Sequence, residues 1–379
     1  IEPNTAATID PVPNQRTTRA EPLDVPLTIR DEDPTKVLVS ATADNTTLIP
    51  EGNLVLLGSG AERTLRISPD PSQLGTATIT LTVTDGQGQA TTTIFFLLVE
   101  RPYQNDPDKL TADDAAPGEF FGNSVAIDGD FALVGAYLFE RPDTGWEQIQ
   151  EFVADGGAEF DPSVTVVALH GDYALIGARD GGSGNVYLFE RTDTGWEQIQ
   201  KLVPDDGTAN DGFGWSVALH GDYALIGAYG DSDNVTYSGS AYLFGRTDTG
   251  WEQIQKLVPD DADLTYFGTA VALHGDHALI GAYWDDENGP LSGSAYLFER
   301  TDTGWERTQK LVADDGAEGD VFGRSVALQG DYALIGARED DDKGIDSGSA
   351  YLFHRTGSGW EQVQKLVAAD GVAYDGVGW

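Results

Sequence analysis

Residues 216–228 read Ser-Val-Ala-Leu-His-Gly-Asp-Tyr-Ala-Leu-Ile-Gly-Ala, two short apolar segments hinged on His220-Gly221-Asp222. A Gly-bearing turn between apolar runs is the mark of a tight antiparallel hairpin. Downstream, Tyr242-Leu-Phe and Trp251-Glu-Gln-Ile-Gln flank Arg246-Thr-Asp-Thr-Gly250, a second hairpin with Gly and Asp in its turn. Four strands therefore follow one another with almost no helical period between them. In the Tyr223 strand two apolar sets alternate, Tyr223 with Leu225 and Ala224 with Ile226, so both faces are expected to be buried.

This four-strand unit recurs. Trp146, Trp196, Trp251, Trp305 and Trp360 each follow a Gly and open W-E-x-x-Q, at spacings of 50, 55, 54 and 55 residues. Ahead of each stands an aromatic strand beginning at Tyr137, Tyr187, Tyr242, Tyr296 or Tyr351 and reading Tyr-Leu-Phe. A period of about 50 residues with four strands per unit predicts the blades of a β-propeller, in which radial repetition leaves only short protected edges. A solenoid of stacked sheets is the alternative, although two tight hairpins per unit curl more naturally into blades.

The repeats resemble the FG-GAP repeats of integrin-type propellers, and more closely the secreted bacterial and archaeal variant. The resemblance rests on Phe121-Gly122 with Gly135-Ala136, Phe213-Gly214 with Gly227-Ala228, Phe267-Gly268 with Gly281-Ala282, and Phe322-Gly323 with Gly336-Ala337. It spans residues 109–379, and only the second unit departs, with Phe160-Asp161 in place of Phe-Gly. Five repeats are visible and a sixth begins at Asp375-Gly-Val-Gly-Trp379. At the other end, Lys109-Leu-Thr-Ala-Asp113 matches the close of every other repeat, a fourth strand without its own first three. The ring is expected to be completed by residues beyond 379 or by strands of a neighbouring molecule.

Residues 1–101 have another texture. Alternating runs at Lys36–Thr42, Asn53–Leu57, Arg63–Ser68, Thr76–Asp85 and Gln89–Val99, punctuated by Asp85-Gly86 and Pro69-Asp70-Pro71, predict an immunoglobulin-like or cadherin-like sandwich. Residues 102–108 read as the linker. The fold class is thus all-β, a sandwich followed by a propeller.

Composition bounds the function. The 379 residues carry 63 acidic and 22 basic side chains, a net charge of −41, with 43 Asp and only 7 Lys. Such a polyanion repels phosphate backbones, whose binding depends on Lys and Arg. Self-repulsion on this scale keeps the chain dispersed, and the compact state is expected to gain stability with monovalent salt. The longest apolar run, Ile94–Val99, falls far short of the roughly 20 residues of a membrane-spanning helix, so direct membrane insertion is not expected. Cysteine and methionine are absent, the latter even at position 1, so the chain reads as a mature or trimmed product or as part of a longer one.

The resemblance implies an extracellular binding or adhesive module, often with calcium. The integrin-type calcium loop has shrunk here to Leu219-His220-Gly221-Asp222, too short for an ion that takes 6–8 oxygen ligands. A different acidic loop stands between the Gly-Ala and Tyr-Leu-Phe strands: Asp231 and Asp233, then Asp285 and Asp286, then Asp340, Asp341 and Asp342, each set followed by Ser-Gly-Ser-Ala. Adjacent carboxylates recurring in equivalent loops point to a hard cation, calcium, with a solvated Asx turn as the alternative. In the second unit this loop is reduced and in the first it is missing.

Three histidines, His170, His220 and His274, share one turn position that Asp128 and Gln329 fill elsewhere, which marks exchangeable turn residues rather than catalysts. No G-x-S-x-G, H-E-x-x-H or phosphate loop is present. The recurrent Trp series reads as blade packing. Trp284, beside Asp285, is the tryptophan expected to touch a ligand. The resulting expectation is a secreted or cell-surface, non-enzymatic module for adhesion, surface structure or binding of a protein or polysaccharide. Its rivals are a filament subunit assembled by edge complementation and an enzyme of polysaccharide turnover, the latter favoured if one blade's channel residues differ sharply from the rest.

Overall fold

The computed structural model describes residues 6–19, 21–100, 109–113, 121–142, 145–155, 158–160, 165–178, 184–232, 235–259 and 264–379. Among them no helix is long and apolar enough to cross a membrane. The chain divides into two compact units, residues 1–108 and 109–379.

The first unit is a sandwich of two four-stranded sheets. One orders Thr8–Ile9, Leu23–Arg30, Glu62–Ile67 and Leu54–Leu57; the other orders Gln15–Thr18, Ala90–Glu100, Gly75–Thr84 and Leu38–Ala43. Strict alternation puts Val25, Leu27, Ile29, Leu65 and Ile67 of one sheet against Ile79, Leu81, Val83, Phe95, Leu97 and Val99 of the other. The Asp85 carboxylate closes the expected turn by accepting the N–H groups of Gln87 and Gln89. The five strands expected from Lys36 onward are present within two residues. Three earlier strands escaped notice: two are only two and four residues long, and Pro26 interrupts the pattern of Leu23–Arg30.

Among its described residues the second unit contains five antiparallel four-stranded sheets, each in chain order, as blades require. In the third, Phe213–His220, Tyr223–Ala228, Ser240–Thr247 and Gly250–Leu257 pair successively, with a bulge between Leu243 and Phe244 that recurs in all five. The first strands of successive sheets pack side by side, which brings the inner edges together around a channel.

The repeat signature is the cement between blades. Gln200 donates to the Trp251 carbonyl at 2.6 Å and accepts its N–H at 3.0 Å. Gln150 does the same for Trp196, Gln255 for Trp305 and Gln309 for Trp360. Each indole packs edge-on against an aromatic residue of the preceding blade: Trp196 on Phe131, Trp251 on Tyr173, Trp305 on Tyr223, Trp360 on His277. The Trp series is structural, as its uniform placement implied.

The ring is open among the described residues. Leu334 of the fifth blade is 37% exposed, while its counterparts Leu175, Leu225 and Leu279 are fully buried by the next blade. On the first blade Val125 and Ile127 are 64% and 67% exposed. Val377 bridges Gly348 as Phe322 bridges Gly293, so Val377–Trp379 holds the place where a sixth inner strand begins.

Candidate functional site

The acidic loops are built around one buried carboxylate each. Asp231, Asp285 and Asp340, 3% exposed, follow the Gly-Ala end of the second strand. The hydroxyls of Tyr242, Tyr296 and Tyr351 donate to them at 2.7–2.8 Å. The ammonium groups of Lys256, Lys310 and Lys365 stand 2.8 Å away. Tyr and Lys are direct cross-strand partners, so their side chains leave one face together and converge on the same aspartate. Lys365 also meets Asp315 at 2.8 Å and Asp342 at 2.7 Å.

Burial pushes the Asp340 carboxyl up, but donors from Lys365, Tyr351 and the Asp342 backbone outweigh it and hold the group below the usual range. Burial, helped by the nearby Asp340 and Asp315 charges, outweighs the Ala317 N–H and lifts Asp320 above that range. The second acids of the loops have local work: Asp286 and Asp341 accept the N–H groups of Leu291 and Asp346 at 2.7 Å. Asp233 lies outside the described residues. No group of three or more His, Asp or Glu side chains is arranged to hold a metal among the described residues. At Asp231, Asp285 and Asp340 a lysine supplies positive charge.

The channel differs at its two ends. At the turn end His170, His220 and His274 stack with ring centroids 4.5 and 4.6 Å apart. Burial, with the neighbouring histidines, lowers the His220 pKa, and its Nδ1 accepts the Gly275 N–H. At the opposite end, where the Phe-Gly and Gly-Ala pairs meet, the channel opens as a cavity of about 410 Å³. Asn123, Trp215, Thr269, Arg324 and Trp379, each the residue after a Phe-Gly or Val-Gly pair, line it.

Around this mouth aromatic rings form a continuous belt. Trp215 meets Tyr229 at 4.3 Å, Tyr229 meets Tyr266 at 5.6 Å, and Tyr266 meets Tyr283 at 5.6 Å and Trp284 at 4.6 Å. Arg324 lies 5.0 Å from the centroids of both Tyr283 and Trp379, and Arg338 lies 3.9 Å from Trp379. Trp284 is half-buried within this belt rather than alone on a loop.

Five stretches of the chain, residues 105–145, 146–189, 196–244, 251–298 and 305–353, match the FG-GAP repeat family. The chain belongs to the FG-GAP repeat family. Residues 3–96 match the Bacterial Ig domain family. A search of curated proteins finds no match. Among solved structures, the M3 domain of titin is 17% identical, with 25% of this chain and 98% of that one covered at a TM-score of 0.21. A mutant of the SrpA adhesin from Streptococcus sanguinis is 13% identical, with 42% and 98% covered at a TM-score of 0.25. Neither likeness bears on function at these scores.

In this FG-GAP chain the motif glycines have a plain physical role. The carbonyl of Gly323 rests where a side chain on Gly281 would stand, and Gly268 does the same to Gly227. The sequence points to Trp284 and assigns no role to Trp215, Trp379 or Arg324. A signal was available: within near-identical FG-GAP repeats, the residue after Phe-Gly varies while the Val-Ala that follows two positions later does not.

Proposed function

We propose that this chain is an extracellular or cell-surface, non-enzymatic adhesion module whose propeller unit holds its ligand at the aromatic mouth of the channel. The observation that carries this reading is the variation at the mouth. Positions that join blades repeat from unit to unit, whereas Asn123, Trp215, Thr269, Arg324 and Trp379 differ in the one place where they face a cavity. Residues that vary within an otherwise repeated unit and gather round a concavity are where recognition resides. The lining contains indole, guanidinium, hydroxyl and amide groups but, among the described residues, neither carboxylate nor histidine. That chemistry suits binding and lacks the acid–base pair of glycoside hydrolysis.

Beads coated with the protein should adhere to surfaces bearing cell-envelope polysaccharide. A Trp215→Ser/Arg324→Ser/Trp379→Ser variant should lose most of that adhesion, while a His170→Gln/His220→Gln/His274→Gln variant keeps it. Equal adhesion by all three proteins would refute the assignment, and release of new reducing ends would replace it with the enzymatic reading.

The uncovered apolar faces favour a second reading, a subunit that assembles through its end blades. Light scattering that grows with concentration and disappears in Val125→Lys and Leu334→Lys is its expected sign; a monomer at all concentrations would rule it out.

A further inference from the structure

We propose that the ligand at the channel mouth is an acidic polysaccharide, one that presents a uronate carboxylate to Arg324 and a sugar ring to Trp215; this rests on the reading of the mouth as the binding face. The first observation is the company Arg324 keeps. In a chain with 63 acidic and 22 basic side chains, most arginines of the propeller are claimed by carboxylates. Arg191, Arg246, Arg300 and Arg355 pair with the turn residues Asp172, Asp222, Asp276 and Asp331 at 2.5–3.0 Å.

Arg324 has no such partner among the described residues. Its Nη1 donates to the Thr269 hydroxyl at 3.3 Å, and its guanidinium lies between the rings of Tyr283 and Trp379. The aromatic neighbours hold the planar fork in place without neutralising it, which leaves donors free for a bidentate carboxylate. Keeping a cation half-buried without a counter-ion is unfavourable unless a ligand supplies one.

The second observation is what surrounds that cation. Trp215 offers an indole to the C–H face of a pyranose, and the Asn123 amide with the Thr269 hydroxyl suits its ring hydroxyls. Ser216 and Ser325 already donate to the carbonyls of Gly268 and Gly378, so they line the cavity as acceptors. An aromatic platform, neutral hydrogen-bonding groups and one unneutralised guanidinium together describe a site for a sugar acid. The overall −41 charge makes this selective, because repulsion from the rest of the surface penalises polyanions that cannot place a carboxylate on Arg324.

The test is a calorimetric titration of the full chain with tetragalacturonate, with the same oligosaccharide methyl-esterified and therefore neutral, and with hexaglutamate. Tetragalacturonate is expected to bind at least tenfold more tightly than either of the others. Arg324→Gln should remove that tenfold preference, Arg324→Lys should retain part of it, and Trp215→Ala should weaken the acidic and esterified forms alike. Equal affinity for acid and ester, or an unchanged Arg324→Gln variant, overturns carboxylate recognition while leaving the mouth as the binding face. Equal affinity for hexaglutamate overturns the sugar half of the proposal. No heat with any oligosaccharide overturns it altogether, and the bead-adhesion comparison then decides separately whether the mouth binds anything.

Discussion

Replacing Lys365 by methionine is expected to lower the melting temperature of the propeller unit by roughly 6–12 °C, from a loss of about 3 kcal/mol. Methionine keeps the aliphatic stem but removes the ammonium that Asp315, Asp340 and Asp342 share. Asp340 is then a buried carboxylate with two like charges beside it and only neutral donors left. Removing one partner of a buried pair costs about 3–5 kcal/mol, and the lower figure applies because Lys365 keeps some contact with water. The sign with pH follows from the shifts. Asp340 is held below its ordinary 3.8, so its contribution is present above that pH and is lost as pH falls through the folded value. Burial pushes the Lys365 ammonium down, but Asp315, Asp340 and Asp342 outweigh it and raise it above 10.5; its contribution is complete below that pH and fades only as pH rises through the folded value. The deficit of the variant should therefore be largest between about pH 5 and 9 and shrink on acidification, when Asp340 is protonated. Millimolar calcium at fixed ionic strength should restore part of the loss in the variant, where three carboxylates are left without their cation, and leave the parent unchanged. Calorimetric melts across pH check each step. A variant melting within about 2 °C of the parent at pH 7 would show that the ammonium is dispensable.

The same triad marks the limit of what sequence reading reached. The four-stranded unit, its hairpins and its period were legible because turn glycines and alternating apolar residues act over a few positions, which is the range a linear reading covers. The acidic loops were legible as clusters of charge but not as carboxylates already matched to cations. Asp285 and Lys310 are 25 positions apart in chain order, and only the Tyr296–Lys310 register brings them together. The channel mouth was hidden for a related reason. Asn123, Trp215, Thr269, Arg324 and Trp379 lie 54 or more positions apart in chain order and become neighbours only when inner strands converge. Trp284 was singled out because it adjoins an aspartate pair, whereas its surroundings are the rings of Tyr266 and Tyr283. Local chemistry was readable; juxtaposition across blades was not.

Gly281→Ala is expected to be still more damaging, because it acts on the contact that lets blades meet. Gly281 ends the inner hairpin of the fourth blade, pairing with Ala270 and Ala295, and its carbonyl accepts the Gly268 N–H at 3.0 Å. A β-carbon there would fall inside the van der Waals envelope of the Gly323 carbonyl oxygen on the next inner strand. The β-carbon is fixed directly to the backbone and its partner is a backbone oxygen, so no rotamer change relieves the clash and the strands must separate. Gly323 is itself held at a φ of +89°, with the Ser294 carbonyl occupying the place a side chain would take, so it cannot yield without disturbing the third strand of the fourth blade. Overpacking a core with one methyl typically costs about 1–3 kcal/mol, and the absence of any flexible neighbour puts this site at or above the upper figure. The loss extends beyond one contact, since moving the inner strands apart loosens the Gln309–Trp360 clasp between the same two blades. Limited proteolysis should therefore cut Gly281→Ala between its fourth and fifth blades under conditions that leave the parent intact. Gly357→Ala is the control: it lies in a turn outside the left-handed region with nothing within 4 Å of an added methyl, and its melt should match the parent. If Gly281→Ala melts with Gly357→Ala rather than well below it, the glycine-to-carbonyl contact between blades does not limit stability, and the Phe-Gly and Gly-Ala pairs need another explanation.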